Sequence, residues 1–371
     1  MPCNKTCFEP RYPLSEPTAR PFAAYAEPNG KPFSPQEMLQ SYGIREDSDA
    51  GAGITVAFVA AYGYPSLQED FDEFNRLFGL PAAKIDMFYT ADGENNAAQT
   101  ASRRQVPEAW RLEAGADASW LHAAAPGAQI TAVFAPNASI SALMQAALVA
   151  AQKADIVSMS FGSAEFREQT AFDTSLAESG KCFVASSGDT GGAVLYPSAS
   201  AAVLSVGGAV FHRNPTNGRV VNYAAWENGG GGPSLYTGIP NWQQRFQPIA
   251  VKSGQRRATP DVALDACQGP GYAVFDGASK RLRGVCGTSI GAPVFAGMLA
   301  RHMARRGGHA SGADVAKALY TLAGGTFYQR ETAAASYYDV ILGSNGRYAA
   351  GVGYDFCTGL GVPLAGNREF L

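Results

Sequence analysis

The chain predicts an α/β fold: a doubly wound, mostly parallel sheet flanked by helices, built as one domain. Two patterns carry that expectation. Several short segments are unbroken apolar runs, the signature of strands buried on both faces. Between them lie segments of helical period, and strands alternating with helices imply crossover connections and a parallel sheet. The 371 residues, 46% hydrophobic, are enough for one large core.

Taken in order, residues 1–35 are Pro-rich and irregular (Pro10, Pro17, Pro28) and read as an extended arm on the surface. The one plausible boundary follows it, leaving 36–371 as the folded unit. Ser34-Pro35-Gln36-Glu37 starts a short helix that ends near Gly43. Residues 54–61 are a buried strand, and 66–78 a helix stopped by Gly79. A helix over 106–125 is closed by Pro126-Gly127. Strands over 129–135, 156–160, 182–186 and 203–206 alternate with helices over 140–153 and around 171–179. The strand at 203–206 is expected to end at Gly207-Gly208, and a glycine cluster occupies 228–233. Gly287-Thr288-Ser289 then opens a long apolar helix that closes in the arginine-rich turns from Arg301 to Arg306. No internal repeat is visible.

Composition excludes several classes of partner. A net charge of −3 with scattered Lys and Arg gives no nucleic-acid footprint. No apolar run reaches membrane-spanning length, so the expectation is a soluble monomer with no membrane partner. Only 16% of residues are charged, which limits charge build-up on acidification. Six cysteines form no CxxC pair and four histidines are too dispersed for a zinc site. Cys3 could close a loop with Cys7, and Cys267 or Cys286 could pair with Cys357, while Cys182 reads equally well as a free buried thiol. No signal-peptide pattern opens the chain.

The chemistry gathers around Ser289. A hydroxyl at a helix N-terminus sits over partial positive charge, which favours a developing oxyanion. A plain Gly-Thr-Ser helix cap is the competing reading, so partners decide. None of His122, His212, His302 and His309 lies in a turn suited to a catalytic base, and each reads as structural or solvated. Glu113 and Asp117, four residues apart on one helix, project from one face and can share a proton. In a cleft, one would act as base while the other holds the proton. A strand followed by Ser187-Gly188-Asp189-Thr190-Gly191 places a third acid between glycines. Kept protonated, Asp189 could donate to an oxyanion.

These residues together resemble the sedolisins, the serine-carboxyl peptidases with a subtilisin-like fold. The likeness rests on Gly287-Thr288-Ser289 with Pro293, on Glu113 and Asp117 followed by Ala125-Pro126-Gly127-Ala128, and on Ser187 to Gly191. Val206-Gly207-Gly208, Gly230-Gly231-Gly232-Pro233-Ser234 and Pro260-Asp261 are also family-like, and the match runs from about residue 35 to the C-terminus. The resemblance implies an acid-acting endopeptidase acting on peptides or unfolded proteins. Ser289 would be the nucleophile, Glu113 the general base and acid, Asp117 its orienting partner, and Asp189 the oxyanion donor beside the Ser289 backbone N–H. Ser160, Phe161 and Gly162 would pair with an extended substrate. One structural Ca2+ would be held by the side chains of Asp339 and Asp355 and the carbonyls of Val340, Gly351 and Gly353. A secreted setting or an acidic compartment is what the family favours.

The chain also departs from the pattern. Relatives often carry an acid where Val59-Ala60-Ala61 stands here, and Trp at the position of Phe161, so the network behind the acids is expected to be thinner. Cys286 stands where Ser or Gly is common. The long prodomain of the family is expected to be missing, since the catalytic region begins after about 35 residues. Two other functions stay open at this level: an exopeptidase releasing tripeptides, and a repurposed peptide-binding protein with weak proteolysis.

Overall fold

The apolar runs pair side by side as one sheet. The computed structural model describes residues 17–25, 30–90, 106–214, 216–245, 247–266, 269–326 and 337–364. Thr55–Ala61, buried almost throughout, lies in the middle of the sheet. It pairs in parallel with Gln129–Ala135 on one side and Ile156–Met159 on the other, with Val59 opposite both Val133 and Met159. Cys182–Ser186 and Val203–Arg213 extend the sheet beyond Ile156–Met159, and Ile85–Tyr89 extends it beyond Gln129–Ala135, all in parallel. Val220–Ala225 adds an antiparallel edge, and Val262–Asp265 pairs in parallel with Val203–Arg213. The sheet is doubly wound, as its apolar, non-alternating strands predict.

Two helices bring the chemistry together. Glu108–Ala124 (the acid helix) and Thr288–Arg306 (the serine helix) pack against each other. Small residues set their separation: a Cβ on Gly297 would fall 2.5 Å from the Cβ of Ala124. Trp120 fixes the acid helix on its other side, its indole N–H donating to the Ala273 carbonyl at 3.1 Å. Arg301 closes the pair, its guanidinium donating to the carbonyls of Ala124 at 3.1 Å and Arg45 at 2.9 Å.

Several elements lie outside the sequence expectation. Ile85–Tyr89 is an edge strand with alternating burial, and the antiparallel strands Tyr272–Asp276 and Arg281–Cys286 carry charged residues that hide them. Gly312–Thr326 is a further helix. Val203–Arg213 does not stop at Gly207-Gly208. These glycines serve packing instead: Cβ atoms there would meet Pro260 Cγ at 2.6 Å and Trp226 Cε3 at 2.8 Å.

The arm differs most. Its described part does not lie over the outer surface: Ala19, Phe22 and Ala23 are buried. Arg20–Pro21 pairs antiparallel with Phe161–Ala164, and Ala24–Tyr25 with Arg281–Cys286. The cysteine pairing to Cys357 also fails. Cys357 and Cys182 are free and buried, and Cys286 is in a disulfide. Cys3, Cys7 and Cys267 lie outside the described residues.

Candidate active site

Strand Arg281–Cys286 delivers the chain to Gly287, whose φ of 132° is open to glycine. A Cβ there would also collide with the Phe22 carbonyl oxygen and the Asp189 carboxylate. The serine helix starts immediately afterwards and places Ser289, fully buried, in its first turn. The Ser289 hydroxyl donates to Glu113 Oε2 at 2.9 Å and lies 3.4 Å from the Ser160 carbonyl oxygen.

Glu113 and Asp117 are both fully buried on the acid helix, beside Ala114, Gly115, Ala116 and Ala118. Glu113 Oε2 is crowded with donors: besides Ser289 it accepts the backbone N–H groups of Phe22 and Ala23, each at 2.7 Å. Asp117 Oδ1 accepts the Ser160 hydroxyl at 2.6 Å. The remaining oxygens, Glu113 Oε1 and Asp117 Oδ2, have no hydrogen-bond partner among the described residues. Loss of solvent pushes Glu113 up to about 8 against the pull of its three donors. Asp117 is raised well above the carboxylate range, first by burial and then by the charge of Glu113. Three donors on one Glu113 oxygen stabilise its anion, so a single shared proton belongs with Asp117.

Asp189 follows strand Cys182–Ser186, as its sequence context predicts. Its Oδ1 accepts both the backbone N–H of Thr288 at 3.0 Å and the Thr288 hydroxyl at 2.8 Å. Burial lifts it to about 7, while the Thr288 bonds and the nearby Arg20 cation pull it down. Its Oδ2 faces the same point beside Gly287 as the Phe22 carbonyl oxygen. Ser289, Glu113, Asp117, Asp189 and Ser160 thus converge on one site, beside the strand of Phe161 and Gly162, which lies between Arg20–Pro21 and Leu195–Tyr196.

Three groups here were not assigned from sequence: the Thr288 hydroxyl, the Ser160 hydroxyl as partner of Asp117, and the backbone of Phe22 and Ala23. Thr288 and Ser160 stood inside recognised motifs, so their hydroxyl chemistry was open to inspection. The arm offered no such signal. The strand end Val59-Ala60-Ala61 is buried and apolar, and the Phe161 ring packs 6.3 Å from Trp110, so the support behind the acids is hydrophobic. His122 Nε2 lies 2.9 Å from the Pro81 carbonyl oxygen and His309 reaches Asp155, both away from Ser289, whose hydroxyl donates to Glu113 instead.

At the far end, Asp339 and Asp355 meet one turn. Asp339 Oδ2 accepts the Gly353 N–H at 3.0 Å and Asp355 Oδ2 the Gly351 N–H at 2.9 Å. Asp355 Oδ1 also accepts the N–H groups of Cys357 and Thr358 at 2.9 Å. Val340, the next residue after Asp339, is buried. No group of three or more acidic, His or Cys side chains suited to a metal occurs among the described residues.

Comparison with known proteins places this geometry in a class. Residues 107–350 match the subtilase family, to which the chain belongs. Within that class its likeness is to the sedolisins, on the subtilisin-like fold. It is 29% identical to kumamolisin of Bacillus sp. (strain MN-32) and 26% to sedolisin of Pseudomonas sp. (strain 101). Each alignment covers 96% of this chain and 64% of the relative, so the chain spans less than two thirds of either. Among solved structures, Pseudomonas sedolisin superposes with a TM-score of 0.74 at 24% identity, over 90% of this chain and 95% of that one. An S41 psychrophilic protease superposes at 0.54 with 18% identity, over 90% and 99%. These structural likenesses show the fold.

Proposed function

We propose that the chain is an acid-acting serine-carboxyl endopeptidase. The observation that carries the reading is the 2.9 Å hydrogen bond from Ser289 to a buried carboxylate, Glu113, where a histidine base would otherwise stand. In this reading Ser289 Oγ attacks the peptide carbonyl carbon as Glu113 takes its proton. Asp117 holds the shared proton and keeps Glu113 oriented. The oxyanion receives hydrogen bonds from protonated Asp189 and the Ser289 backbone N–H. Glu113 then passes its proton to the leaving amine, and water resolves the ester in the reverse sense.

Endopeptidase action is favoured over tripeptide release by the arm, whose backbone pairs with the walls on both sides of Ser289. A cleft open at both ends accepts the middle of a chain. Comparable cleavage of N-acetylated and free peptides is the expected result, and a strict need for a free amine would favour the exopeptidase. Hydrolysis of an unfolded protein at pH about 4 should be abolished by Ser289→Ala, a loss of roughly 10⁴-fold or more. Undiminished turnover in that variant would sink the assignment.

A calcium ion also belongs to this proposal. Two carboxylates gathered at the Gly351–Gly353 turn are hard oxygen donors, and Asp355 is buried without an ion pair among the described residues. Asp339 and Asp355, with the carbonyls of Val340, Gly351 and Gly353, would hold the ion and supply a structural cross-link. Chelation should lower the melting temperature, with calcium restoring about 3 kcal/mol at a hundredfold excess over Kd. An unmoved melting temperature would remove calcium from the account.

A further inference from the structure

Asp189 stands on a turn whose own residues do little to fix its shape. Gly188, Gly191 and Gly192 have φ of 108°, 62° and 60°, so the acid sits in a stretch of permissive backbone that must be held from outside. Upstream the turn is anchored: the Ser187 N–H donates to the Val206 carbonyl at 2.8 Å and the Gly188 N–H to the Thr288 hydroxyl at 3.2 Å. Downstream it leans on a second glycine segment. The Gly191 N–H donates to the Asn228 carbonyl at 2.8 Å and the Gly192 N–H to the Gly229 carbonyl at 3.0 Å, while the Gly230 N–H returns a bond to the Gly188 carbonyl at 2.7 Å. Residues 229–232 are all glycine, so this support is itself permissive and needs a template.

The template is the turn 345–348, and Asn345, fully buried, is its root. Asn345 Oδ1 accepts the Tyr348 N–H at 2.9 Å and the Arg347 N–H at 3.3 Å, which folds the turn. Its Nδ2 donates to the Phe356 carbonyl at 3.0 Å and ties the turn to the next segment. Both glycine segments press on this assembly. A Cβ on Gly191 would lie 3.1 Å from the Asn345 carbonyl oxygen, and one on Gly192 would collide with Arg347 Cβ and lie 3.2 Å from Asn345 Oδ1. A Cβ on Gly231 would collide with the same Phe356 carbonyl oxygen that Asn345 holds. One buried amide thus fixes the surface against which the backbone beside Asp189 is seated.

We propose that Asn345 is a positioning residue for the reaction, acting through the Gly191–Gly192 backbone to aim Asp189 at the oxyanion. The inference rests on the reading of Asp189 as oxyanion donor given above. Thr288 grips Asp189 Oδ1 through its N–H and its hydroxyl. A shift of the backbone after Asp189 therefore turns the carboxyl about that anchor and moves Oδ2, the oxygen that faces the space beside Gly287. The oxyanion exists only after Ser289 has attacked, so a misaimed donor leaves substrate binding intact and slows turnover. Asn345 touches neither substrate nor nucleophile in this scheme, and its whole effect passes through Asp189.

The test measures kcat and KM of the full chain on a fluorogenic peptide at pH about 4, with melting temperatures alongside. Asn345→Ala should lower kcat roughly tenfold or more with KM little moved. In an Asp189→Ala background, where no acid remains to be aimed, the same change should cost less than about twofold. Gly192→Ala reaches the contact from the other side by driving a Cβ into that of Arg347. It should repeat both the loss and its disappearance without Asp189, and it carries the test if Asn345→Ala does not fold. Adding Arg347→Gly, which removes the obstructing Cβ, should return part of the Gly192→Ala loss. Equal losses with and without Asp189 would overturn the proposal, as would a lowered melting temperature with unchanged kcat, and either would leave the peptidase reading standing. An Asp189→Ala chain with full kcat would instead overturn the oxyanion-donor reading and this proposal with it.

Discussion

Two buried carboxylate centres in this molecule are built on opposite principles. Asp261 is fully buried and fully served: both oxygens bond Arg257, at 2.8 and 2.6 Å, and the Ser205 N–H and Tyr320 hydroxyl add bonds at 2.7 and 2.6 Å. The Arg257 guanidinium is itself fully buried and also donates to the Ser200 and Val203 carbonyls. Glu113 and Asp117 are equally buried, yet among the described residues neither is in an ion pair and one oxygen of each has no hydrogen-bond partner. A buried charge with complete hydrogen bonding holds a fold together. A buried pair without it retains protons and can move them. The contrast separates structure from chemistry without reference to any relative.

Substitution should separate the two centres. Glu113→Gln removes the proposed base but keeps the shape, so kcat/KM should fall by roughly 10³ to 10⁴ with no loss in melting temperature. Because burial raises both acids, Glu113 to about 8, the folded pair holds a proton that the unfolded chain has released. That contribution to stability is present at low pH and lost as the pH climbs towards 8, and Gln should flatten the slope. Thermal melts across pH, beside kinetics, read both effects. A large drop in melting temperature without kinetic loss would make Glu113 structural.

Asp261→Ala is the mirror image and leaves the Arg257 charge buried without its partner. We expect a loss of about 3–5 kcal/mol in stability, read by denaturant unfolding, with normal kcat in whatever remains folded. Equal stability would mean that Arg257 finds other acceptors, and the contrast between the centres would blur.

The same distinction explains what was legible in the sequence. Continuous apolar runs announced the parallel strands because burial on both faces is written into residue type. The acid pair was legible because helical spacing alone puts Glu113 and Asp117 on one face. Gly207-Gly208 misled because a glycine makes room for a neighbour as often as it ends a strand, and only the fold brings Pro260 and Trp226 there. Asp261 stood in a family-like motif, but its structural role depends on Gln243 and Tyr320, distant in the chain. The arm was hidden for another reason. Its contacts with Phe161 and Gly162 run largely through backbone groups, which every sequence shares, so nothing in Arg20-Pro21-Phe22-Ala23 announces them.

Asp189 lies between the two centres and gives the smallest and most discriminating effect. Thr288 serves one oxygen twice, while the other faces the space beside Gly287, where the proposed mechanism puts the oxyanion. As a carboxylic acid it can donate there only below about 7, the value to which burial lifts it. Activity depending on that donor should therefore be present at lower pH and fade as pH rises through about 7. Asn in the same place donates at every pH but offers a neutral, weaker acceptor to Thr288. Asp189→Asn should cost roughly tenfold at pH about 4 and extend the alkaline limb of kcat/KM, whereas Asp189→Ala should cost about 10²- to 10³-fold at all pH values. An unshifted alkaline limb in the Asn variant would assign that limb to the Glu113–Asp117 pair, in which burial lifts Glu113 to about 8.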